Sequence, residues 1–360
     1  MKKIVFNTDQ IFLHGGIEKV MAVKANYFAN LPDVEVYIVT IEQNGKPPCY
    51  PLDKKIKLID LGVNYNRSKS YFSRRNIFKA FYHYKRQKRL FRQLNPDVVI
   101  SPNYNFDFYW LPFIQRNAKK IKEIHGSRYN WQPTKKNKLN AWFESKYDTV
   151  VVLNPDEARY YSSDNVVVIP NPVEISNLQC DLKKKQVVAA GRISPVKAFD
   201  ELIKAWKQVY EKHPDWQLHI YGENYLNTRE QLQKLIEELG LSKVIRFKGS
   251  VPDMAQTMLD YSIYAMSSVT ECFPMVLLEA LSVGLPIVSY DCPNGPRNII
   301  TDKADGFLAQ HQNPFDLADK IMMLIEDKEL LLQMGESAKK NSVRFSTENI
   351  MQIWLHLLKG

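Results

Sequence analysis

The feature that most limits the folds open to this chain is an alternation. Short β-branched runs recur, each followed by an amphipathic stretch of helical length. A two-residue apolar period suits a pleated strand, and a 3.6-residue period suits a helix. In the first half the strand candidates are "KIVFNT", "VEVYIVTI", "DVVIS", "IKEIH", "TVVVLN" and "VVVIP", with helices expected near 17–30, 73–94, 135–147 and 155–162. In the second half they are "QVVAAGR", "WQLHIYG", "VIRFKGS", "YSIYAMSS" and "LPIVSY", with helices near 198–212, 228–239, 253–260, 275–283 and 314–326. Such repetition implies crossover connections, hence parallel sheets covered by helices. The expected class is α/β.

The pattern starts afresh at "QVVAAGR", after "PNPVEISNLQCDLKKK", a stretch with prolines, a charge run and little periodicity. At 360 residues the chain is long for one core and natural for two. Two doubly wound domains are therefore expected, over 1–172 and 173–345, joined near 172–185. A closing segment over 346–360, "STENIMQIWLHLLKG", opens with a Ser/Thr–Glu cap signature and continues as a helical apolar stripe. It is expected to pack back on the first domain. Parallel sheets receive ligands beyond the carboxyl ends of their strands. Two such domains would face an interdomain cleft, so residues with chemistry are sought just after strands.

Charge is uneven. Residues 1–172 carry 28 Lys and Arg against 15 Asp and Glu, whereas the whole chain is only +10. The excess concentrates in "NRSKSYFSRRNIFKAFYHYKRQKRLFRQLNP" (Asn66–Pro96), with ten Lys/Arg, seven Phe/Tyr and no acid. Such a block calls for an anionic partner: lipid head groups, nucleic acid or an anionic substrate. Two readings stay open here. Arg74, Arg75, Lys79, Lys85, Arg86, Lys88, Arg89 and Arg92 could meet an anionic membrane surface, or the helix could be merely solvated, with Ile77, Phe78, Phe81 and Phe91 packed inward. The N-terminus reads as a strand, not a signal peptide, and no apolar run approaches the length of a membrane span. Cys49, Cys180, Cys272 and Cys292 lack metal-ligand spacing and suit a reducing cytoplasm. There is no Asp-x-Asp, so no acidic metal clamp of that type is indicated and no metal is expected.

Several post-strand turns carry chemistry. "HGGIEKV" places Gly15 and Gly16 before a helix, whose amides could receive a phosphate or simply close a tight turn. In "VVAAGRISPVKAFDELIKAW", Arg192 follows a strand and Lys197 stands at the entrance of the next helix. Cations there oppose the helix dipole unless an anion compensates, as a diphosphate would. "ECFPMVLLEALSVGLPIVSYDCPNGP" holds Glu271 and Glu279 with seven residues between them, none charged. Pro274 suits a first helical turn, which would put Glu271 in a loop, Glu279 inside the helix, and the amides near Met275 and Val276 beside the loop. His125 and Gly126 in "IKEIHGSRYNW" follow a strand of the first domain, where a histidine is either a structural hydrogen-bonder or a working group. "YDCPNGPRNII" adds a further post-strand turn.

Together these stretches resemble the retaining glycosyltransferases of family four, which have the GT-B fold of two Rossmann-like domains. The resemblance rests on the Glu–seven residues–Glu element followed by "ALSVGLPIVSYD", on "GRISPVKAFDELIKAW" and on "GGIEKV". It implies a 1–172 acceptor-binding domain and a 173–345 nucleotide-sugar-binding domain. It implies that Arg192 and Lys197 neutralise the donor diphosphate, helped by amides around Gly15, Gly16, Pro274, Met275 and Val276. Glu279 would hold the ribose, Glu271 the sugar hydroxyls, His125 the reacting face, and the backbone near Val251 the base. Two positions depart from the family pattern: Ala198 replaces a glycine, and Pro274 removes an amide donor. The implied activity is metal-independent transfer of a hexose or N-acetylhexosamine from a nucleotide-sugar, UDP by resemblance, to a glycan or lipid-linked glycan. That donor is a co-substrate, and no cofactor is expected. The implied setting is surface polysaccharide or oligosaccharide synthesis at the cytoplasmic face of the plasma membrane, with no nucleic-acid partner. Competing readings are a nucleotide-sugar epimerase or phosphorylase on the same fold, or a non-catalytic nucleotide-binding subunit.

Overall fold

A computed structural model of the chain describes residues 1–70, 73–129, 131, 132 and 134–359. Tyr71 and Phe72 of the basic block, and Asn130 beside the histidine turn, lie outside the described residues. The chain forms two compact units, one of Met1–Pro172 with the segment from Ile350 onward, the other Val173–Asn349.

The first unit holds β1 (Lys2–Thr8), β2 (Val34–Thr40), β3 (Lys57–Asp60), β4 (Val98–Ser101), β5 (Lys119–Ile124), β6 (Thr149–Val152) and β7 (Val166–Val168). Its helices are α1 (Gly16–Ala29), α2 (Arg74–Leu94), α3 (Lys135–Glu144) and the single turn α4 (Pro155–Ala158). The sheet is parallel throughout, in the order β3-β2-β1-β4-β5-β6-β7. Its central strands are apolar along nearly their whole length because both faces are covered. Ile4 and Phe6 of β1 point to one face, with Phe28 of α1, while Val5 points to the other, with Phe91 of α2 and Phe108.

The second unit holds β8 (Gln186–Ala190), β9 (Gln217–Tyr221), β10 (Ile245–Gly249), β11 (Ile263–Met266), β12 (Ile287–Tyr290) and β13 (Gly306–Ala309). Its helices are α5 (Phe199–Lys212), α6 (Thr228–Glu238), α7 (Met254–Met258), α8 (Met275–Ser282), α9 (Pro314–Glu326) and α10 (Lys328–Ser342). This sheet is also parallel, in the order β10-β9-β8-β11-β12-β13. Finally, α11 (Thr347–Lys359) contributes Ile350, Met351, Trp354 and Leu358 to the core that contains Phe6 and Phe28.

Each sheet reverses its strand order once, between β1 and β4 in the first unit and between β8 and β11 in the second. Loops leaving the strands on either side of such a reversal diverge and leave a crevice at the carboxyl edge, the usual ligand site of open α/β sheets.

Four elements differ from the sequence reading. β3, β13 and α10 have no counterpart in it, and the helix expected over 155–162 is one turn. β3 is an exposed four-residue edge strand, "KLID". β13 opens on a glycine, and α10 carries Gly335 at its middle, which weakens a helical pattern.

Candidate active site

In the second unit, the loops after β8 and β11 flank the reversal. The β8 strand ends at Ala190, and Gly191 and Arg192 follow. A Cβ on Gly222, at the end of β9, would lie 1.9 Å from the Gly191 carbonyl oxygen, so only glycine allows these two strand ends to come this close. Arg192 is exposed, its guanidinium 5.5 Å from the Tyr225 ring centre. Lys197 closes a short 3₁₀ turn, Pro195–Lys197, immediately ahead of α5. Ala198, which joins the turn to α5, has φ +45° and ψ +46°. The backbone therefore keeps a left-handed conformation that glycine adopts freely, and a residue with a Cβ holds it at a cost of about 1 kcal/mol.

Lys197 Nζ lies 2.5 Å from Glu271 Oε1. The Ser268 hydroxyl donates to the same oxygen at 2.7 Å. The two loops are knitted further by the Val269 amide, which donates to the Val196 carbonyl (2.9 Å), and by the Ser267 hydroxyl, which donates to the Lys197 carbonyl (3.0 Å). A third loop, after β12, braces Glu271 from behind. A Cβ on Gly295 would stand 2.6 Å from the Glu271 Cβ and 3.3 Å from its carbonyl carbon. The Lys197 and Glu271 side chains are 20% and 14% exposed, which leaves both within reach of a ligand while weakening the screening of their charges by water.

The helix α8 begins at Met275 and Pro274 is its N-cap, one residue earlier than the first helical turn that the sequence suggested for the proline. No side chain caps this end and its first turn holds no acid. Its free amides and dipole thus favour a negative group. Glu271 lies in the loop before it, and Glu279 is inside the helix, 5% exposed. Val251 occupies the turn between β10 and α7 and is half-buried. Of the second unit's expected residues, the structure brings Lys197 directly onto Glu271. Ser268, which had no separate signal in the sequence, and Gly295, which the sequence offered only as a post-strand turn, support the pair.

In the first unit, Gly15 is the N-cap of α1 and Gly16 its first residue. Glu18 folds back over this turn: a Cβ on Gly15 would meet its Oε2 at 2.1 Å. Its Oε1 accepts from Gln10 Nε2 (2.6 Å), and Gln10 Oε1 accepts from the amides of Phe12 (2.7 Å) and Leu13 (2.9 Å). The loop after β1 is thereby fixed by a glutamine whose role the sequence did not announce. His125 follows β5 directly, its side chain 8% exposed and its Nε2 3.5 Å from Glu123 Oε2. Burial lowers the imidazole pKa, against the opposing pull of Glu123. Among the described residues, no three His, Cys, Asp or Glu side chains gather as a metal site would require.

The basic helix α2 corrects the inward-packing alternative. Phe91 is buried, but Ile77, Phe78 and Phe81 are 50%, 77% and 60% exposed, and Tyr82 joins them at 43%. Lys85 Nζ sits 4.3 Å from the Phe81 ring centre, and the Arg86 guanidinium 4.4 Å from that of Tyr82. Not every cation is free. Lys79 donates to the Asn64 carbonyl, Arg86 to the Leu61 carbonyl, and Lys88 to the Tyr84 hydroxyl (3.1 Å). Arg74, Arg75, Lys85, Arg89 and Arg92 are exposed. No helix among the described residues is long and apolar enough to cross a membrane.

Comparison with known proteins gives a consistent set of matches. Residues 14–177 match the model described as Glycosyltransferase Family 4, and residues 172–341 the model described as Glycosyl transferases group 1. A Haemophilus influenzae protein described as an uncharacterized glycosyltransferase is 28% identical over 99% of this chain and 100% of its own. The Staphylococcus aureus poly(ribitol-phosphate) alpha-N-acetylglucosaminyltransferase is 28% identical over 68% of this chain and 52% of its own length. Among solved structures, a variant of S. aureus TarM in complex with fondaparinux, alpha-GlcNAc-glycerol and UDP superposes with a TM-score of 0.82, at 19% identity and with both chains fully covered.

Proposed function

Since the chain belongs to the family-four glycosyltransferases and has their GT-B fold, we propose that it moves a hexose or N-acetylhexosamine from a UDP-sugar to a glycan acceptor with retention of anomeric configuration. The observation that carries this reading is the Lys197–Glu271 pair, at 2.5 Å, on the carboxyl edge of the second sheet and beside the uncapped start of α8. A cation tied to a carboxylate is held in place without being buried. When a diphosphate arrives, Lys197 and Arg192 meet it, and Glu271 turns its acceptor oxygens to sugar hydroxyls. The amides of Met275 and Val276 add to the same charge, while the ring of Pro274 contributes none. Glu279 serves the ribose, the backbone at Val251 the base, Gly15 and Gly16 the phosphates, and His125 the sugar.

No carboxylate is assigned as a nucleophile in this scheme. The diphosphate leaves and the acceptor hydroxyl attacks on the same face. The protein's work is electrostatic: Arg192, Lys197 and the helix end stabilise charge that grows on the leaving group. No metal and no cofactor takes part. The acceptor we assign is a glycan or lipid-linked glycan; the S. aureus relative, described as a poly(ribitol-phosphate) alpha-N-acetylglucosaminyltransferase, supports a surface polymer as the setting. The exposed aromatic and basic face of α2 gives such an enzyme a means of resting on the anionic inner face of the plasma membrane.

Screening UDP-, GDP- and ADP-sugars for acceptor-dependent transfer, with the anomer of the product read by NMR, tests the reaction. Transfer from a UDP-sugar with a retained anomer is expected. Rearranged free sugar, or release that needs no acceptor but phosphate, would replace the assignment with an epimerase or phosphorylase. Lys197→Ala and Arg192→Ala should each cost about 3 kcal/mol in the transition state, on the order of a hundredfold in rate. Their melting temperatures should stay near wild type, and near-normal turnover in either would sink the assigned roles.

A further inference from the structure

The first unit contains a buried charged group that the scheme above does not use. Lys24, on α1, is 1% exposed, and its ammonium contacts one oxygen of Glu123. The rest of its surroundings are aromatic: the ring centre of Trp354, from α11, lies 4.5 Å from Nζ and that of Phe6 lies 5.9 Å away. An ammonium so placed is desolvated and depends on its carboxylate partner. Burial lowers the Lys24 pKa, and Glu123 opposes the shift. Glu123 is itself 5% exposed, and the charge of Lys24 holds its carboxyl below the usual range despite burial. The contact with Lys24 keeps the Glu123 carboxyl ionised, so Glu123 can only accept hydrogen bonds.

Glu123 and His125 are two residues apart on and just beyond β5, a spacing that turns both to one side. While Lys24 takes Oε1, the other oxygen, Oε2, lies 3.5 Å from His125 Nε2. That nitrogen is buried and makes no hydrogen bond within normal geometry among the described residues. The charged groups acting on His125 are Glu123, Lys24 and the fully buried Lys122, whose ammonium donates to the carbonyls of Asn103 (2.7 Å) and Ser101 (3.3 Å). Burial lowers the imidazole pKa, the two lysines add to this and Glu123 opposes it; in its neutral form the ring carries one N–H and one lone pair. An ionised carboxylate 3.5 Å away favours the proton on the nitrogen that faces it, even without the alignment of a full hydrogen bond.

We infer that Glu123, held ionised by Lys24, is a positioning residue: it keeps the His125 proton on Nε2 and so presents Nδ1 as a hydrogen-bond acceptor for a sugar hydroxyl. This rests on the reading of His125 as a residue that serves the sugar. Trp354 completes the chain of contacts, since it covers the ammonium on which the carboxylate depends.

Selective ¹⁵N-histidine labelling of the whole protein, with long-range proton–nitrogen spectra assigned through His125→Gln, reads the tautomer directly. The Nε2–H form is expected, unchanged between pH 8 and 6. A double variant, Lys24→Met with Glu123→Leu, removes both charges at similar volume and avoids a lone buried ammonium. In it the tautomer should become mixed, and kcat should fall about tenfold, the worth of one hydrogen bond to a charged group. The donor Kd should change less than kcat. An Nδ1–H ring in the wild type, protonation of His125 in that pH range, or a double variant with unaltered tautomer and kcat would overturn the inference. His125→Ala with full transfer would instead overturn the sugar-binding role of His125 and leave the tautomer result standing, so the two failures are distinct.

Discussion

Glu271 is held from three sides: by Lys197, by the Ser268 hydroxyl and by the close approach of Gly295. The glycine is the part most easily tested. Alanine at position 295 needs no unusual backbone angle, yet its Cβ would fall 2.6 Å from the Glu271 Cβ, well inside contact distance. The neighbour has to move, and with it the carboxylate. We expect Gly295→Ala to lower kcat/KM for the donor by ten- to hundredfold, the scale set by displacements of about 1 Å in a positioned group. Steady-state kinetics check this, and circular dichroism should show an intact fold. Lys197 and Glu271 drew attention in the sequence because each is a charged residue in a turn just after a strand, although their contact was not legible there. Ser268 drew none, and Gly295 stood out only as a turn residue, since one hydroxyl or one glycine in a loop does not show what it touches until the loops are brought together. Glu123 and Lys24 escaped for another reason: they are 99 residues apart, and each looks ordinary in its own element.

At the scale of elements, periodicity served well wherever a segment is buried on a defined face. β1, β4, β8 and α5 are examples: each packs apolar residues at the expected spacing. It served poorly where burial is slight, as in β3, whose residues are mostly exposed. On α2 the composition was plain but the orientation was not. Eight Lys/Arg among five Phe/Tyr fit either a solvated helix or one with an exposed apolar face, and only the packing of Phe91, His83 and Gln87 inward leaves Phe78 and Phe81 outside. Replacing both by serine (Phe78→Ser, Phe81→Ser) removes no core contact, so stability should change by no more than about 0.5 kcal/mol. Co-sedimentation with anionic vesicles at low salt should fall strongly for this variant, and wild-type binding should weaken as salt rises. Wild-type protein that stays in solution with anionic vesicles would remove the membrane role and leave the transferase role untouched.

At the scale of the molecule, the first unit carries an acid-sensitive point. His83 is fully buried; its Nδ1 lies 3.0 Å from the Tyr65 hydroxyl and its ring is 5.1 Å from that of Trp110. Burial pushes its pKa down to about 3. The unfolded chain, with an ordinary imidazole, binds a proton between pH 6.5 and 3 that the folded unit does not. Stability from this group is therefore complete above pH 6.5 and is lost as pH falls through that window. Between pH 7 and 5 wild-type protein should lose about 2 kcal/mol more than His83→Phe, measured by urea unfolding at each pH. An equal loss in the two proteins would assign the acid sensitivity to other groups.

The route of the chain has a temporal side. It leaves the first unit at Pro172, builds the whole of the second, and returns at Ile350 to set Met351 and Trp354 against Phe6 and Phe28. During translation, the strands and helices of residues 1–172 emerge with an oily flank uncovered. At ordinary ribosomal speed the covering helix follows on the order of ten to thirty seconds later. Throughout that interval the second unit is itself still being made, and its last residue, Asn349, comes only just ahead of the strip for which the first unit waits. A chain truncated after residue 349 and released would thus display a complete second unit tethered to a first that still attracts chaperones, although the first comes earlier in the message.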